Sequence, residues 1–251
     1  MVDNINCLCA LLYDWTFGIS HLQEIFPQMN SIIHAAIFGS VARGSNDENS
    51  DLDVIAVVDT TQGIDKHLIG KKIQPLFEKK IGLSIYGINR ISQLWREGSP
   101  FAWHLFTESI PILQYSKGLA ENLGRPSDYR SLESDIKMMS GIMDSASHRI
   151  EVCPEKSHCY EAGLLYVAAR NSAMYASKMF NGKFDFSRLA PFSIRVVSFP
   201  LSLEDYSLLI ACRHAATRGL PPPRLDSKTL THHSRQLLDW SRNLRQKIYQ
   251  E

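Results

Sequence analysis

Two aspartates stand two residues apart, Asp51 and Asp53, at the head of an apolar run from Leu52 to Val58. In an extended strand, residues two apart face the same way, so both carboxylates can grip one hard cation. Upstream, Ile32 to Phe38 has the β-branched, apolar character of a buried strand and stops at Gly39-Ser40. Gly39 lets a backbone approach a phosphate closely, and Ser40 offers a hydroxyl and an N–H beside it. A helix starting after Ser40 would present further amides to an anion. A phosphate-holding turn facing a same-face carboxylate pair is the equipment of metal-assisted phosphoryl or nucleotidyl transfer.

Gly39-Ser40, Arg43-Gly44 and Ser50-Asp51-Leu52-Asp53 together resemble the G-S-x-x-R-G…S-D-[LI]-D signature of the DNA polymerase β-like nucleotidyltransferases. The resemblance implies a transferase that moves a nucleoside monophosphate from ATP, or another NTP, to an acceptor hydroxyl and releases pyrophosphate. It implies Mg2+ held by Asp51 and Asp53, which are also the catalytic carboxylates. Gly39, Ser40, Arg43, Gly44 and Ser50 would then bind the nucleotide, and attack on the α-phosphorus would take place in a cleft between two domains. Arg43 would neutralise phosphate charge or brace the loop by pairing with Asp51 or Asp53.

The same family supplies a third carboxylate from the next strand. Here that strand, Leu83 to Ile88, holds no Asp or Glu, and the aligned position is Ser84 or, failing that, Tyr86. Neither is a strong ligand for a hard cation. Three readings stand open. A glutamate from elsewhere completes the site, with Glu161 the first catalytic candidate ahead of Glu108 and Glu133; two aspartates and the substrate's phosphates suffice for one metal; or the domain binds nucleotide without transferring it.

The flanking pattern must position these residues. Apolar spacing predicts helices within residues 3–29, over Ile64 to Lys80, and over Ile91 to Glu108 with a break near Gly98-Ser99-Pro100. Ile110 to Gln114 is extended. Strand, strand, helix, strand, helix gives an α+β fold with a small mixed sheet. Turn residues between Tyr115 and Arg130 mark a boundary, placing a catalytic domain at 1–117 and an all-helical bundle at 128–251. The bundle helices are expected at Leu132 to Glu151, His158 to Phe180, Leu203 to Arg218 and Ser227 to Tyr249, with a weak strand candidate at Ile194 to Phe199. Ala168 to Phe192 is similar to the bundle of the aminoglycoside adenylyltransferases, in which an aromatic-rich helix ends in a turn before a Lys-rich segment. On that likeness an aminoglycoside-like small molecule ranks first as acceptor, a protein nucleotidylated by an antitoxin-like enzyme second, and RNA third. Arg170, Lys178 and Lys183 are cations a bundle would offer to a triphosphate.

The chain has 251 residues and a formal charge of +1, with 44% hydrophobic and 21% charged residues, the composition of an ordinary globular protein. That balance, without a basic stripe studded with aromatics, argues against a polynucleotide partner. From Arg188 onward ten Lys/Arg face five Asp/Glu, a local surplus of five positive charges. Five scattered cysteines, with no evident leader segment, indicate reduced thiols in the cytoplasm. Cys153, His158 and Cys159 do not match a zinc spacing. The pair His232-His233 reads as helix surface, and Trp103 and His104 read as core. No apolar run reaches the length of a membrane span. Oligomeric state is not written in the sequence.

Overall fold

The computed structural model describes residues 32–47, 50–59, 65–67, 71, 74–76, 80–114, 119–153 and 158–250. The helices expected within residues 3–29, and Cys7 and Cys9 with them, lie outside the described residues, as does most of the helix expected over Ile64 to Lys80. Of that last stretch, Gln74–Leu76 forms a single 3-10 turn. The chain divides into two compact units, Met1–Arg130 and Ser131–Glu251.

The first unit carries a four-stranded mixed sheet. Strand β1 (Ile32–Phe38) runs into a one-turn helix α1 (Gly39–Ala42), and β2 (Leu52–Val58) and β3 (Ile81–Gly87) follow. Helices α2 (Ile88–Arg96) and α3 (Pro100–Glu108) then lead into β4 (Ile110–Gln114), and α4 (Leu119–Leu123) closes the described part of the unit. The order across the sheet is β3-β2-β1-β4, parallel between β2 and β3 and antiparallel elsewhere.

The β-branched strands are buried on both faces, which is why their sequences are nearly continuous apolar runs. On one face Ala36, Ile55 and Val57 pack against Ile91, Leu94 and Trp95 of α2 and Ala102 and Leu105 of α3. The expected break between the two helices is confirmed. Ser99 caps α3, its hydroxyl accepting from the Ala102 N–H at 3.1 Å, and Pro100 opens the helix where no intrahelical N–H bond is needed. The two indoles then tie down the chain beyond β4: Trp95 Nε1 donates to the Gly124 carbonyl at 2.8 Å and Trp103 Nε1 to the Ser127 carbonyl at 3.1 Å. These bonds attach the turn-rich stretch after Tyr115 to the sheet unit.

In the second unit the described helices are α5 (Leu132–Val152), α6 (Cys159–Phe180), the short α7 (Ala190–Ser193), α8 (Leu203–Arg218) and α9 (Ser227–Ile248). Their shared core gathers Met143, Leu165, Ala169, Tyr206, Leu237 and Trp240 among others. Alanines and Gly163 line α6, and a Cβ built at Gly163 would lie 3.1 Å from Arg213 Cα, so the small residues let α6 and α8 approach closely. Ser202 and Asp226 cap α8 and α9 through the N–H groups of Asp205 and Thr229. The strand candidate at Ile194 to Phe199 is not a strand. Ile194 instead plugs the helical core and Phe199 stacks edge-on against Tyr206 and Trp240, so aromatic and aliphatic burial, not ladder pairing, explains the apolar content.

Candidate functional site

Register fixes where the aspartates go. Asp53 is opposite Phe38 of β1 and opposite Gly82 of β3. Asp51 stands one residue before the start of β2. The row Gly82–Asp53–Phe38 therefore lies at the end of the sheet where β1 turns into α1. Gly39 has φ +77°, the left-handed conformation that glycine alone adopts without strain. A Cβ built there would collide with Asp53 Oδ2, and one built at Gly82 would lie 3.0 Å from Asp53 Oδ1. The Asp53 carboxylate thus fits between two positions that carry no side chain, half-exposed at the sheet end.

The loop that follows α1 is closed by its own polar groups. The Arg43 N–H bonds the Gly39 carbonyl at 3.1 Å, and the Ser45 N–H bonds the Ser40 carbonyl at 2.9 Å. Gly44 is exposed and has φ +67°. Ser50 is buried; its hydroxyl donates to Asp47 Oδ1 at 2.8 Å and accepts from the Asp47 N–H at 2.9 Å. The structure therefore gives Ser50 a loop-closing role immediately before Asp51.

Arg43 has a partner the sequence placed elsewhere. Its Nη1 donates to Glu108 Oε2 at 2.6 Å, where the sequence had suggested Asp51 or Asp53. His104, one turn before Glu108 on α3, approaches the same oxygen through Nε2 at 2.9 Å. The two nitrogens lie 3.3 Å apart, so the carboxylate assigns the proton to Nε2 of His104. Burial alone would raise the Glu108 carboxyl, but the hydrogen bonds from His104 and Arg43, with the charge of Arg43, outweigh it and hold the group below the usual carboxylate range. The Phe38 ring stands edge-on to both Phe101 and His104, with centroids 5.8 and 5.6 Å away, which joins this cluster to the residue opposite Asp53.

Sequence reasoning set His104 aside as core, yet its i,i+4 spacing to Glu108 on one helix was the signal for an ion-paired couple. Gly82, which carries no side-chain chemistry to single it out in the sequence, is the flat neighbour of Asp53.

The register also locates the missing third carboxylate. Gly82, Ser84 and Tyr86 share the face of Asp53, and Ser84 is opposite Ile55 and Tyr86 opposite Val57. Tyr86 is engaged with Phe101 in the apolar layer. The other two candidate glutamates, Glu161 and Glu133, lie in the second unit. Glu161 accepts from Arg149 Nε at 3.2 Å and has His158 Nδ1 at 3.7 Å, while Glu133 is exposed in the first turn of α5.

Among the bundle cations, Arg170 bonds the carbonyls of Phe186 and Ser187 and the Asn171 side chain, so it staples the segment after α6. Lys178 donates to the Gly182 carbonyl at 3.2 Å, and Lys183 is exposed. His233 departs from its surface reading: it is buried, with Nε2 3.7 Å from Asp205 Oδ1.

The first unit is thus an α+β domain whose mixed sheet sets the Asp53 carboxylate beside a glycine turn. Residues 19–98 match the family model of the nucleotidyltransferase domain. Among solved structures, the crystal structure of spectinomycin adenyltransferase AAD(9) from Enterococcus faecialis with ATP and spectinomycin is similar over 91% of this chain and 98% of that one, at 16% identity and a TM-score of 0.49. A likeness at this identity says nothing about substrate. No curated protein sequence matches the chain significantly. Among the described residues no helix is long and apolar enough to cross a membrane.

Proposed function

We propose that the chain is a magnesium-dependent nucleotidyltransferase that moves AMP from ATP to an acceptor hydroxyl, with Asp51 and Asp53 holding the metal. The observation that carries this reading is the Asp53 carboxylate set between Gly39 and Gly82. Two glycines flank the one carboxylate, so no side chain at either position crowds the oxygens that would hold a cation. Two same-face carboxylates are the hard, anionic donors Mg2+ selects, so the residues fit the group. When bound, Mg2+ supplies charge neutralisation of the triphosphate and a more electrophilic α-phosphorus. The Gly39-Ser40 turn binds the β- and γ-phosphates through its N–H groups and the Ser40 hydroxyl, and Gly44 keeps the loop beyond it free of side-chain bulk. Catalysis would come from placing acceptor and α-phosphorus in line.

The second unit, with the boundary near residue 128, serves as acceptor and nucleotide-binding bundle in this reading. Its resemblance at Ala168 to Phe192 favours an aminoglycoside-like acceptor, a protein acceptor ranking next, and the free thiols Cys153, Cys159 and Cys212 accord with a cytoplasmic site of action. A second reading, a nucleotide-binding module without transfer, is favoured by one observation: Gly82, Ser84 and Tyr86 leave the Asp53 face of β3 without a carboxylate.

The test is pyrophosphate release with each of the four NTPs and Mg2+, in the presence of a panel of aminoglycosides or cell lysate, with an α-phosphorus label to show where the nucleotide goes. Label on an aminoglycoside supports the first reading, and label on a lysate protein moves the acceptor to protein. Magnesium-dependent NTP binding without transfer supports the binding module. Transfer that survives Asp51→Asn and Asp53→Asn would sink the metal assignment.

A further inference from the structure

The family places its third carboxylate on β3, and the structure shows why β3 cannot supply it here. Gly82 is the β3 residue beside Asp53, and the next two on that face are Ser84 and Tyr86. The opposite flank of the same sheet end does carry a carboxylate. β4 is antiparallel to β1, with Ile110 opposite Ile37, so the residues just before Ile110 arrive at the level of Phe38. Phe38 is opposite Asp53. Helix α3 thus delivers Glu108, its last residue, to the sheet end where Asp51 and Asp53 stand, on the far side of β1. From β2 to β4 is two strand spacings, about 10 Å, a span that a bound phosphate chain and an acceptor hydroxyl can fill.

Glu108 is built as a held carboxylate, not a surface one. Both of its hydrogen bonds, from Arg43 Nη1 at 2.6 Å and from His104 Nε2 at 2.9 Å, end on Oε2. Oε1 accepts no hydrogen bond among the described residues, and the side chain is 18% exposed. One oxygen is saturated and fixes the group's orientation; the other keeps its lone pairs for a ligand. Arg43 belongs to the loop that begins at Gly39, so the same ion pair couples the carboxylate's position to the turn beside Asp53.

We propose that Glu108 is the acceptor-side catalytic residue of this site, replacing the carboxylate that β3 lacks, with Oε1 taking the proton of the attacking hydroxyl. The inference rests on the nucleotidyltransferase reading above. In the step, the acceptor O–H bond breaks and its proton passes to Oε1. The freed electron pair of the acceptor oxygen forms the new bond to the α-phosphorus of ATP. The bond from that phosphorus to the bridging oxygen breaks, and pyrophosphate leaves with its electron pair. Arg43 and His104 are positioning residues: they hold Oε2 and keep the group ionised before the acceptor arrives.

The experiment compares wild type, Glu108→Gln, Glu108→Asp and Asp51→Asn as full chains, with α-labelled ATP, Mg2+ and either water or the aminoglycoside panel as acceptor. Three quantities are read: turnover, the dissociation constant for Mg-ATP by calorimetry, and Tm. Glu108→Gln keeps an oxygen for Arg43 and removes the base, so turnover is expected to fall about 100-fold or more, the range of a general base. Its Mg-ATP affinity should stay within about threefold of wild type, since a proton acceptor for the acceptor hydroxyl adds little to ground-state binding. Glu108→Asp, one methylene short, should recover at least tenfold over Gln, which also covers the case in which the Gln variant fails to fold. A purely structural ion pair would lower Tm and nucleotide affinity alongside turnover. That pattern overturns the assignment, as does unchanged turnover in Glu108→Gln beside a dead Asp51→Asn. A wild-type protein that binds Mg-ATP and releases no pyrophosphate overturns it too, while leaving the nucleotide site standing. Loss of Mg-ATP binding from wild type itself would instead sink the reading beneath both.

Discussion

The carboxylate of Asp53 occupies the space that a side chain at Gly39 would fill. Asp53 lies in β2 and Gly39 directly follows β1, and register places them: Phe38 pairs with Asp53, and Gly39, next after Phe38, turns into the left-handed region. The glycine of the turn and the second aspartate of the pair are one geometric unit, although fourteen positions separate them.

That unit predicts a graded pair of variants. Gly39→Ala puts a Cβ against Asp53 Oδ2 and forces a left-handed residue, whose backbone cost is about 1–2 kcal/mol. The carboxylate tip can swing aside, so the larger effect falls on Mg-dependent ATP binding, expected to weaken at least tenfold. Gly82→Ala needs a shift of only a few tenths of an ångström at Asp53 Oδ1. It should cost less stability and weaken binding less. Calorimetry and thermal melts of the two variants check the order; a Gly82→Ala effect exceeding that of Gly39→Ala contradicts it.

His34 sets an acid limit on stability. It lies in β1, 4% exposed, with both ring nitrogens lacking a hydrogen-bond partner among the described residues. Burial disfavours the imidazolium and lowers its pKa from 6.5 to about 4. Between those values the unfolded chain binds a proton that the folded chain does not, so stability is full above pH 6.5 and declines as pH falls toward 4. The loss is on the order of 3 kcal/mol. Glu108 and Asp185, both held below their usual carboxyl range, act in the same direction but at lower pH. His34→Leu should therefore flatten the pH dependence of urea midpoints between pH 6.5 and 4 and leave the fall below it. An unaltered profile would show that the site admits the charged ring.

What the sequence disclosed and what it hid divide along physical lines. β1, β2 and the helical stretch read over Ile91 to Glu108 were legible because their apolar spacing is local and strong, and the break at Ser99-Pro100 carries its own capping chemistry; the first helix in fact opens at Ile88, which the sequence had given to the strand. The aspartate pair was legible because two residues at period two need no tertiary information. The partner of Arg43 was not, because sixty-five positions separate it from Glu108 and only the β1–β4 pairing joins them. Ile194 to Phe199 misled because apolar content marks burial without saying whether a ladder or an aromatic plug provides it. His233 read as surface because Asp205, on another helix, is invisible to helical periodicity.

Arg170 predicts a loss in the second unit. Its guanidinium reaches the Phe186 and Ser187 carbonyls beyond the end of α6. Arg170→Ala leaves these acceptors short of a charged donor and should cost about 2–3 kcal/mol. Arg170→Lys retains the charge but not the planar fork, so it should recover under half of that. Chemical denaturation of both variants measures the difference; equal stability of Lys and Arg would mean that charge alone holds the segment.

Ser140 on α5 and Ser241 on α9 share a buried hydrogen bond of 2.9 Å between their hydroxyls. Each hydroxyl is satisfied by the other within an apolar core, so removing one strands its partner. Ser140→Ala and Ser241→Ala should each cost about 1–2 kcal/mol, the desolvation penalty of a buried hydroxyl left unpaired. Replacing both removes donor and acceptor together and should cost less than the sum of the singles, approaching the larger single effect or falling below it. A double-mutant cycle in urea gives the coupling directly. Strict additivity would mean that water or a backbone carbonyl replaces the lost partner, and that the two helices are not keyed to one another by this pair.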